Sequence, residues 1–380
     1  MRFAAVLLGL LAAGCSEPPR QQETPVEAVS RVESPAERAM KRGEAFLIAQ
    51  QSEDGGWRSS TYGDFKHGDA LTPLATRALA TLPHSDASAA AIRKGSRFLT
   101  VLGSAAGGGQ TPLRFPVYTS AMALEVLAPA VNGWSPAEDY FFATVGERQL
   151  TARLGWQPSD PHFGGWGYFP GVPRRPAPGE PVPPFLEANT SATVAALQAL
   201  GSLGHEGPCG DALAFLFRMQ NYAEELTLLD DGGFFFIDGD PVRNKAGMSS
   251  SKERRYHSYG SATADGLRGM LLCGLADDHP RVAAAKRWLH DNFDAERHPG
   301  RYVAPHEPNR NGVYYYYAAS LAQTLQRIEI AIERQQLVAA LVARQNEDGS
   351  WANPIVTLRE DDPITATSFA LTALALLSKG

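Results

Sequence analysis

The chain has 380 residues, 44% of them hydrophobic and 20% charged, and it carries a net charge of −6 at pH 7. This acidic balance argues against a nucleic-acid partner, since binding to a phosphate backbone requires clustered positive charge. The basic cluster at residues 252–255 is typical of a solvated loop. Beyond residue 15 the cysteines are Cys209 and Cys273, with no metal-ligand spacing around either. The two could pair in an oxidising compartment, but two cysteines make no disulfide framework, so we expect buried unpaired thiols, no metal and no cofactor.

Residues 1–16 resemble the start of an exported lipoprotein. Arg2 precedes an apolar run over residues 3–11, which is too short to span a bilayer as a helix. The run leads into Ala12-Ala-Gly14-Cys15-Ser16, and small residues before a cysteine are similar to the bacterial lipobox, in which the cysteine carries the lipid. The resemblance implies a signal peptide over 1–14, a lipid on Cys15 and a membrane anchor in the cell envelope, at the outer membrane or in the periplasm. An ordinary cleaved signal is the alternative.

Residues 16–34 contain several prolines, glutamines and glutamates and no apolar periodicity, so residues 15–34 are predicted to be a disordered tether. A helix is predicted to begin directly after it, because Ser34-Pro35-Ala36-Glu37 combines a capping box with proline at the first helical position. Ser135-Pro136-Ala137-Glu138 repeats this tetrapeptide and predicts a second helix start of the same kind.

Two kinds of helix alternate along residues 35–380. One kind is amphipathic, while the other is apolar almost all round and carries small hydroxyl residues, as in Thr190-Ser-Ala-Thr-Val-Ala-Ala-Leu197. A helix that is apolar on every side is buried on every side. Alternation of six inner with six outer helices predicts an all-α fold, an (α/α)6 barrel closed around a central cavity, as one domain over 35–380. The inner helices are predicted near 71–82, 117–128, 189–203, 260–275, 313–326 and 364–378, and the outer ones near 35–51, 86–102, 136–154, 208–220, 280–293 and 332–345.

A short motif near the start of this region recurs near its end. Gln51-Ser-Glu-Asp54-Gly-Gly-Trp57 and Gln345-Asn-Glu-Asp348-Gly-Ser-Trp351 each follow an outer helix and consist of a polar turn, a glycine and an aromatic residue that can fold back. The pattern resembles the QW repeat of the squalene cyclase and prenyltransferase-repeat superfamily, and degenerate copies lie at 162–166 and 220–234. The resemblance implies a toroid in which these side chains tie neighbouring hairpins together and take no part in catalysis. The residues given this structural role are Gln51, Asp54, Trp57, Gln345, Asp348 and Trp351.

The resemblance leaves the function open, because the fold is shared by triterpene cyclases, protein prenyltransferase β subunits, thioester domains and polysaccharide lyases. A prenyltransferase needs Asp, Cys and His around Zn²⁺, and no such pattern surrounds Cys273. A thioester domain needs a Cys-Gly-Glu-Gln motif, which Pro208-Cys209-Gly210-Asp211 does not supply. Cyclase-like chemistry and chemistry on glycans remain as candidate functions.

A squalene–hopene cyclase starts its reaction with an acid in an Asp-x-Asp-Asp-Thr-Ala motif, whose clustered carboxylates shift their pKa values apart. The matching segment here, Glu187-Ala-Asn189-Thr190-Ser-Ala192, retains a single carboxylate. A second acidic group, Glu360-Asp361-Asp362, precedes Pro363, where an aspartate could equally cap the next helix. The candidate catalytic residues are therefore Glu187, Asp361 and Asp362.

Further polar and aromatic residues lie near the predicted heads of the inner helices and could face the cavity. Such a set would suit sugar binding and acid–base chemistry, and its aromatic rings would equally suit an apolar ligand. Of the four consecutive tyrosines at 314–317, helical spacing lets one or two at most face inward. The candidate cavity residues are Asp64, His67, Asp69, Tyr118, Trp166, Asn189, His257, Tyr259, Asp265, Tyr314 and Tyr315.

The two resemblances together imply an envelope-anchored toroid that binds an isoprenoid or other apolar molecule, and they leave open whether that ligand is transformed. The alternatives are a non-catalytic scaffold for envelope proteins and an enzyme that acts on polysaccharide. The lining of the cavity separates these three hypotheses. Aromatic and aliphatic walls favour an isoprenoid, paired carboxylates in a wet cleft favour a glycan, and a filled centre favours the scaffold.

Overall fold

The computed structural model describes residues 32–109, 112–127, 133–225, 227, 229–356 and 358–379. The chain divides into Met1–Glu33 and a compact unit, Ser34–Gly380. The predicted signal peptide, the predicted lipid site at Cys15 and nearly all of the predicted tether lie outside the described residues. Within those residues, no helix combines the length and the apolar character that a membrane span requires.

Twelve α-helices occupy the described part of the compact unit, and their order confirms the predicted alternation and the all-α class. The odd-numbered ones are α1 (Pro35–Ala49), α3 (Asp86–Gly107), α5 (Pro136–Glu147), α7 (Cys209–Met219), α9 (Pro280–Asp291) and α11 (Arg334–Ala343). The even-numbered ones are α2 (Leu71–Thr81), α4 (Pro116–Leu127), α6 (Thr190–Ser202), α8 (Gly260–Leu272), α10 (Tyr314–Leu325) and α12 (Pro363–Leu377). Two short antiparallel pairs join β1 (Trp166–Gly167) to β2 (Ala188–Asn189) and β3 (Met248–Ser250) to β4 (Arg255–Tyr256).

The even-numbered helices form a closed inner ring. Each packs against the next, from α2 and α4 through to α10 and α12, and α12 packs against α2. The odd-numbered helices pack against this ring with one face, as α3 does on α2, α9 on α8 and α11 on α12. Burial accounts for the two sequence patterns, because α12 is buried along most of its length while α1 buries a single stripe of residues.

Two helix starts are set by local hydrogen bonds that the sequence predicts. Ser34 Oγ accepts from the backbone N–H of Glu37 at 3.1 Å, and Glu37 Oε2 accepts from the backbone N–H of Ser34 at 2.7 Å. Ser135 and Glu138 form the same reciprocal pair at the start of α5. Both capping boxes are confirmed, and each satisfies two N–H groups that the first helical turn leaves without partners.

The aromatic residue that ends each repeat is buried between the helices on either side of it. The indole N–H of Trp57 donates to Leu47 O of α1 at 2.7 Å. Its backbone N–H donates to Thr72 Oγ1 of α2 at 3.0 Å. The small hydroxyl residues of the inner helices therefore serve as acceptors for the preceding turn. The same pair of bonds is made by Trp166 with Val145 and Thr193, and by Trp351 with Leu341 and Thr367.

The glutamine that opens each repeat connects two neighbouring outer helices. Gln51 Nε2 donates to Gly55 O in its own turn at 3.0 Å and to Ala91 O of α3 at 2.9 Å. Gln149 opens a further copy of the repeat, which ends at Trp166. Residues 150–163 are inserted within this copy, so the spacing seen at 51–57 does not identify Gln149 in the sequence. In the other copies the glutamine Nε2 also donates to a backbone oxygen in or directly before the next outer helix. These bonds are Gln149 to Pro208 O, Gln220 to Arg281 O and Gln345 to Ala39 O.

The glycine of each repeat is required by two constraints. Gly55 and Gly349 have φ values of 90° and 89°, which side chains rarely adopt. A Cβ at Gly55 would also lie 2.4 Å from Lys94 O, and one at Gly349 would lie 2.6 Å from Arg42 O. The turn of each repeat thus presses directly on the backbone of a neighbouring outer helix. Asp54 and Asp348 accept backbone N–H groups within the same turns.

Cys209 and Cys273 form a disulfide, with their Cα atoms 5.2 Å apart. The expectation of unpaired thiols is wrong. Cys209 is the first residue of α7 and Cys273 directly follows α8, so the packing of these two helices brings the cysteines together across 64 residues. Neither cysteine belongs to a local spacing pattern, and the pair is therefore visible in the tertiary structure alone.

Candidate functional site

A cavity of about 490 Å³ lies inside the ring, and all six inner helices line it. Each helix contributes positions three or four residues apart, which share one helical face. On α4 these positions are Tyr118, Met122 and Glu125, and on α6 they include Ser191 and Ala195. An open centre of this kind does not favour the scaffold hypothesis, which a filled centre would have supported.

Aromatic rings form the wall toward the N-terminal ends of the inner helices. The ring centroids of Tyr118 and Tyr168 are 5.5 Å apart, and those of Tyr168 and Phe236 are 6.3 Å apart. Tyr316 meets Phe369 edge to face at 5.3 Å. This part of the wall offers several ring faces to a ligand. Further apolar lining comes from Phe65, Leu71, Leu74, Phe115, Met122 and Phe185.

Polar side chains line the wall toward the C-terminal ends of the same helices. Arg77 of α2 and Glu125 of α4 form an ion pair with an N–O distance of 3.2 Å. Gln198 of α6 and Gln323 of α10 lie on the same part of the wall. A mainly apolar pocket with a few fixed polar groups is typical of small-molecule sites.

Asp265 lies in the middle of α8 on the cavity wall, and the residue is 1% exposed. Three donors surround its carboxyl group: Tyr316 Oη at 2.7 Å, Ser320 Oγ at 2.5 Å and Arg268 Nη2 at 3.0 Å. Burial raises the pKa of Asp265, because the ionised carboxylate loses its hydration there, while the Arg268 charge and the two hydroxyls act in the opposite direction. Arg268 Nε and Nη1 are buried without a hydrogen-bond partner in the described part of the chain.

Three phenols of partly buried tyrosines lie next to this acid. Burial raises the pKa values of Tyr118, Tyr168 and Tyr316 well above the usual value for tyrosine. Each hydroxyl therefore stays neutral and can donate a hydrogen bond. Ser191 of α6 interacts with all three hydroxyls. The cluster combines neutral donors with aromatic faces around a single carboxyl group.

Glu360 is a second buried acid on the wall, with 2% of the residue exposed. Its carboxylate oxygens accept the backbone N–H groups of Tyr315 at 3.0 Å and Tyr316 at 2.7 Å, in the first turn of α10. Burial raises the pKa of Glu360 to about 8, and these N–H groups oppose the shift. Tyr316 thus contacts Glu360 through its backbone and Asp265 through its hydroxyl.

The three candidate catalytic residues lie outside the cavity lining. Asp362 is the N-cap of α12, where its Oδ1 accepts the Thr365 N–H at 2.9 Å. Asp361 accepts the Tyr62 hydroxyl at 2.5 Å. Glu187 forms an ion pair with Arg243 at 3.0 Å. In the acidic group at 360–362 it is thus the first residue, Glu360, that reaches the cavity.

The structure brings four of the candidate cavity residues to the wall: Asp64, Tyr118, Tyr259 and Asp265. Several of the others have structural contacts instead. Asp69 accepts the Arg114 N–H at 2.9 Å, and Asn189 caps α6 through the Ala192 N–H at 2.9 Å. The candidate residues that do not line the cavity are His67, Asp69, Trp166, Asn189, His257, Tyr314 and Tyr315.

One of the four consecutive tyrosines, Tyr316, lines the cavity, within the limit of one or two set by helical spacing. Tyr314 and Tyr315, the two tyrosines chosen from the sequence, do not line it. The Tyr314 hydroxyl donates to Ala295 O, and its ring lies 4.5 Å from the Arg344 guanidinium. The sequence does contain a signal for Tyr316, because polar residues follow it at helical spacing on an otherwise apolar helix. Those residues are Ser320 and Gln323, and Asp265 and Arg268 form a matching pair on α8.

Solved structures share this fold. MstE, a type II terpene cyclase from Scytonema, in complex with its substrate geranylgeranyl dihydroxybenzoate, matches with a TM-score of 0.59 at 15% identity, over 91% of this chain and 97% of that one. A protein from Actinoplanes matches with a TM-score of 0.54 at 17% identity, over 90% and 99% of the two chains. No family model and no curated protein sequence matches the chain. The chain therefore has a terpene-cyclase-like toroid fold, and at these identities the similarity assigns no residue a role.

Proposed function

We propose that this protein binds an isoprenoid in its central cavity and cyclises it, with Asp265 as the acid that starts the reaction. The observation that carries the proposal is the buried Asp265 carboxyl group on the aromatic wall of the cavity. Burial favours its protonated form. An acid that protonates an alkene has to be kept dry and close to the double bond.

In the proposed reaction, the π electrons of a carbon–carbon double bond take the Asp265 proton and form a C–H bond. The adjacent carbon becomes a carbocation, which a second double bond attacks to close a ring. Loss of a proton from carbon to water ends the sequence, and Asp265 is reprotonated from water. The product is an isomer of the substrate.

The surroundings of Asp265 suit both charges that this step creates. The ring faces of Tyr118, Tyr168 and Phe369 can stabilise a carbocation through cation–π interaction. Donors from Arg268, Ser320 and Tyr316 stabilise the carboxylate that remains. These contacts make Asp265 a stronger acid than burial alone would.

The lining supports an isoprenoid over a glycan. A glycosidase requires two carboxyl groups beside the bond that is cleaved, one of them close to water. Asp265 and Glu360 are both buried, at 1% and 2% exposure, and Glu360 is held by two backbone N–H groups. The wall's other acids, Asp64 and Glu125, each pair with arginine.

Replacement of Asp265 with asparagine tests the proposal. The wild-type protein is expected to convert geranylgeranyl dihydroxybenzoate or geranylgeraniol to products of unchanged mass, detected by liquid chromatography and mass spectrometry. Asp265→Asn is expected to lower turnover by about 10²–10⁴-fold, while binding of the compounds, measured by calorimetry, is retained.

Asp361→Asn provides a matched control, because this acid lies outside the cavity lining. Its turnover is expected to stay close to that of the wild type. Full turnover in a folded Asp265→Asn variant would contradict the assignment of the acid. Absence of product from the wild type with both compounds would contradict the cyclase proposal.

We also propose that Cys15 anchors the protein in the cell envelope. The Cys209–Cys273 disulfide supports export, because disulfides persist in oxidising compartments. Cys15→Ser is expected to move the protein from the membrane fraction to the soluble fraction in cell fractionation. A Cys15→Ser protein that stays in the membrane fraction would rule out a lipid anchor at this residue.

A further inference from the structure

Two cations that the proposed reaction does not use, Arg243 and Lys245, lie two residues apart in the chain, and both line the cavity. Asn244, between them, is fully buried. It accepts the backbone N–H groups of Phe236 at 2.9 Å and Ile237 at 3.2 Å, and it donates to Ile237 O at 2.6 Å. These bonds hold the backbone between the two cations, so their positions are set before any ligand binds.

Arg243 has one donor that no group in the described part of the chain satisfies. Its Nε pairs with Asp240 Oδ2 at 2.6 Å, and its Nη2 pairs with Glu187 Oε2 at 3.0 Å. The third nitrogen, Nη1, is buried and has no hydrogen-bond partner among the described residues. A buried donor without an acceptor is destabilising, and an acceptor that belongs to a ligand at the cavity wall would satisfy it.

Lys245 supplies a second free donor beside it. In the part of the chain that the structure describes, its ammonium group has no hydrogen-bond or ion-pair partner. Burial lowers the pKa of Lys245 to about 8, with Asp240 raising it and Arg243 lowering it. The ammonium form therefore still predominates at pH 7 and can pair with an anion.

We propose that Arg243 Nη1 and Lys245 Nζ bind the anionic head of an amphiphilic ligand whose apolar chain lies against the aromatic wall of the cavity. An anion at this position accepts charge-assisted hydrogen bonds from both cations and satisfies the donor left without a partner. The inference rests on the proposed function for the apolar part of the ligand. It adds the class of the ligand, a long-chain isoprenoid acid.

The local charge favours a carboxylate over a phosphate. Arg243 and Lys245 are accompanied by the carboxylates of Glu187 and Asp240, so these four side chains together are neutral. A carboxylate adds one negative charge to this partly buried set. A phosphate monoester adds about 1.5 to 2 negative charges at pH 7, and the additional charge has to be desolvated without a further cation.

Calorimetric titration at pH 7 with farnesoic acid, farnesol and farnesyl phosphate tests the site. The wild type is expected to bind farnesoic acid at least about tenfold more tightly than farnesol, as a charge-assisted hydrogen bond predicts. Farnesyl phosphate is expected to bind more weakly than farnesoic acid.

Lys245→Met is the informative variant, because it keeps an apolar side chain of similar length and removes only the ammonium group. It is expected to weaken binding of farnesoic acid at least about tenfold and to leave binding of farnesol unchanged. Lys245→Arg restores the charge and is expected to recover most of the affinity. Lys252→Met, on an exposed turn, is the matched control and is expected to bind all three compounds as the wild type does.

Equal affinity of the wild type for farnesoic acid and farnesol overturns the head-group site and leaves the proposed cyclase function standing, because the chain still binds. Tighter binding of farnesyl phosphate overturns the choice of a carboxylate. Failure of all three compounds to bind overturns the head-group site and the isoprenoid ligand together. If Lys245→Met does not fold, as judged by circular dichroism, the comparison of compounds on the wild type decides.

Discussion

Replacing Trp351 with alanine is expected to lower the free energy of unfolding by about 3–5 kcal/mol. The side chain is fully buried, and its indole N–H donates to Leu341 O at 2.8 Å. A Cβ at Gly43 would lie 2.7 Å from the Trp351 ring, so the ring packs directly on the backbone of α1. Alanine would leave a cavity where the last hairpin meets the first helix, and it would remove the donor to Leu341 O.

Urea denaturation followed by circular dichroism measures this effect. Trp57→Ala is expected to behave in the same way, since Trp57 makes the equivalent bonds with Leu47 and Thr72. Trp134, which is 38% exposed, provides a control whose replacement by alanine is expected to cost less than about 1 kcal/mol. A stable Trp351→Ala protein that no longer binds ligand would instead place Trp351 in the binding site.

Replacing Glu360 with glutamine is expected to remove a large pH dependence of stability. The folded protein keeps the Glu360 proton up to a pKa of about 8, whereas the unfolded chain releases it near 4.5. Between these values the folded state binds more protons than the unfolded state, so the free energy of unfolding falls as pH rises. The slope from this group is about 1.4 kcal/mol per pH unit, or roughly 5 kcal/mol over the whole window.

The measurement is the free energy of unfolding of the wild type and Glu360→Gln from pH 4 to pH 9. The Tyr315 and Tyr316 N–H groups bond to different oxygens of Glu360, so glutamine keeps an acceptor for one of them and loses stability equally at every pH. Relative to this constant loss, the variant is expected to gain stability against the wild type as pH rises to 8. Glu360 has two roles, since it binds a proton and it accepts backbone N–H groups. Glu360→Ala removes the pH-dependent slope and, in addition, removes the hydrogen-bond acceptor at every pH. Parallel pH profiles for the wild type and Glu360→Gln would show that Glu360 is ionised in the folded protein.

The fold was largely predictable because its signals are local. Ser34 and Glu37 lie three residues apart, and their reciprocal hydrogen bonds depend on nothing beyond the first helical turn. The all-round apolar pattern of α12 required burial on every side, and the ring of inner helices supplies it. The motif at 51–57 and 345–351 marked the turns that connect outer to inner helices.

The site was predictable only in part. Tyr118, Tyr259 and Asp265 were assigned to the cavity from their positions near the heads of inner helices, and they line it. The acidic group at 360–362 was also identified, yet its first residue reaches the cavity while Asp362 caps α12. Neighbours in sequence point in different directions, so a cluster of like residues does not reveal which member faces inward.

By itself, the sequence determined the number, order and kind of the helices, the turns between them and the need for a closed ring, because propensity, capping and apolar periodicity act over a few residues. The tertiary structure alone decided which polar groups meet. The rotation of each inner helix about its axis selected Tyr316 over Tyr314 and Tyr315, and the packing of α7 on α8 paired Cys209 with Cys273. Such contacts join residues far apart in the chain, and their geometry depends on how all twelve described helices pack at once.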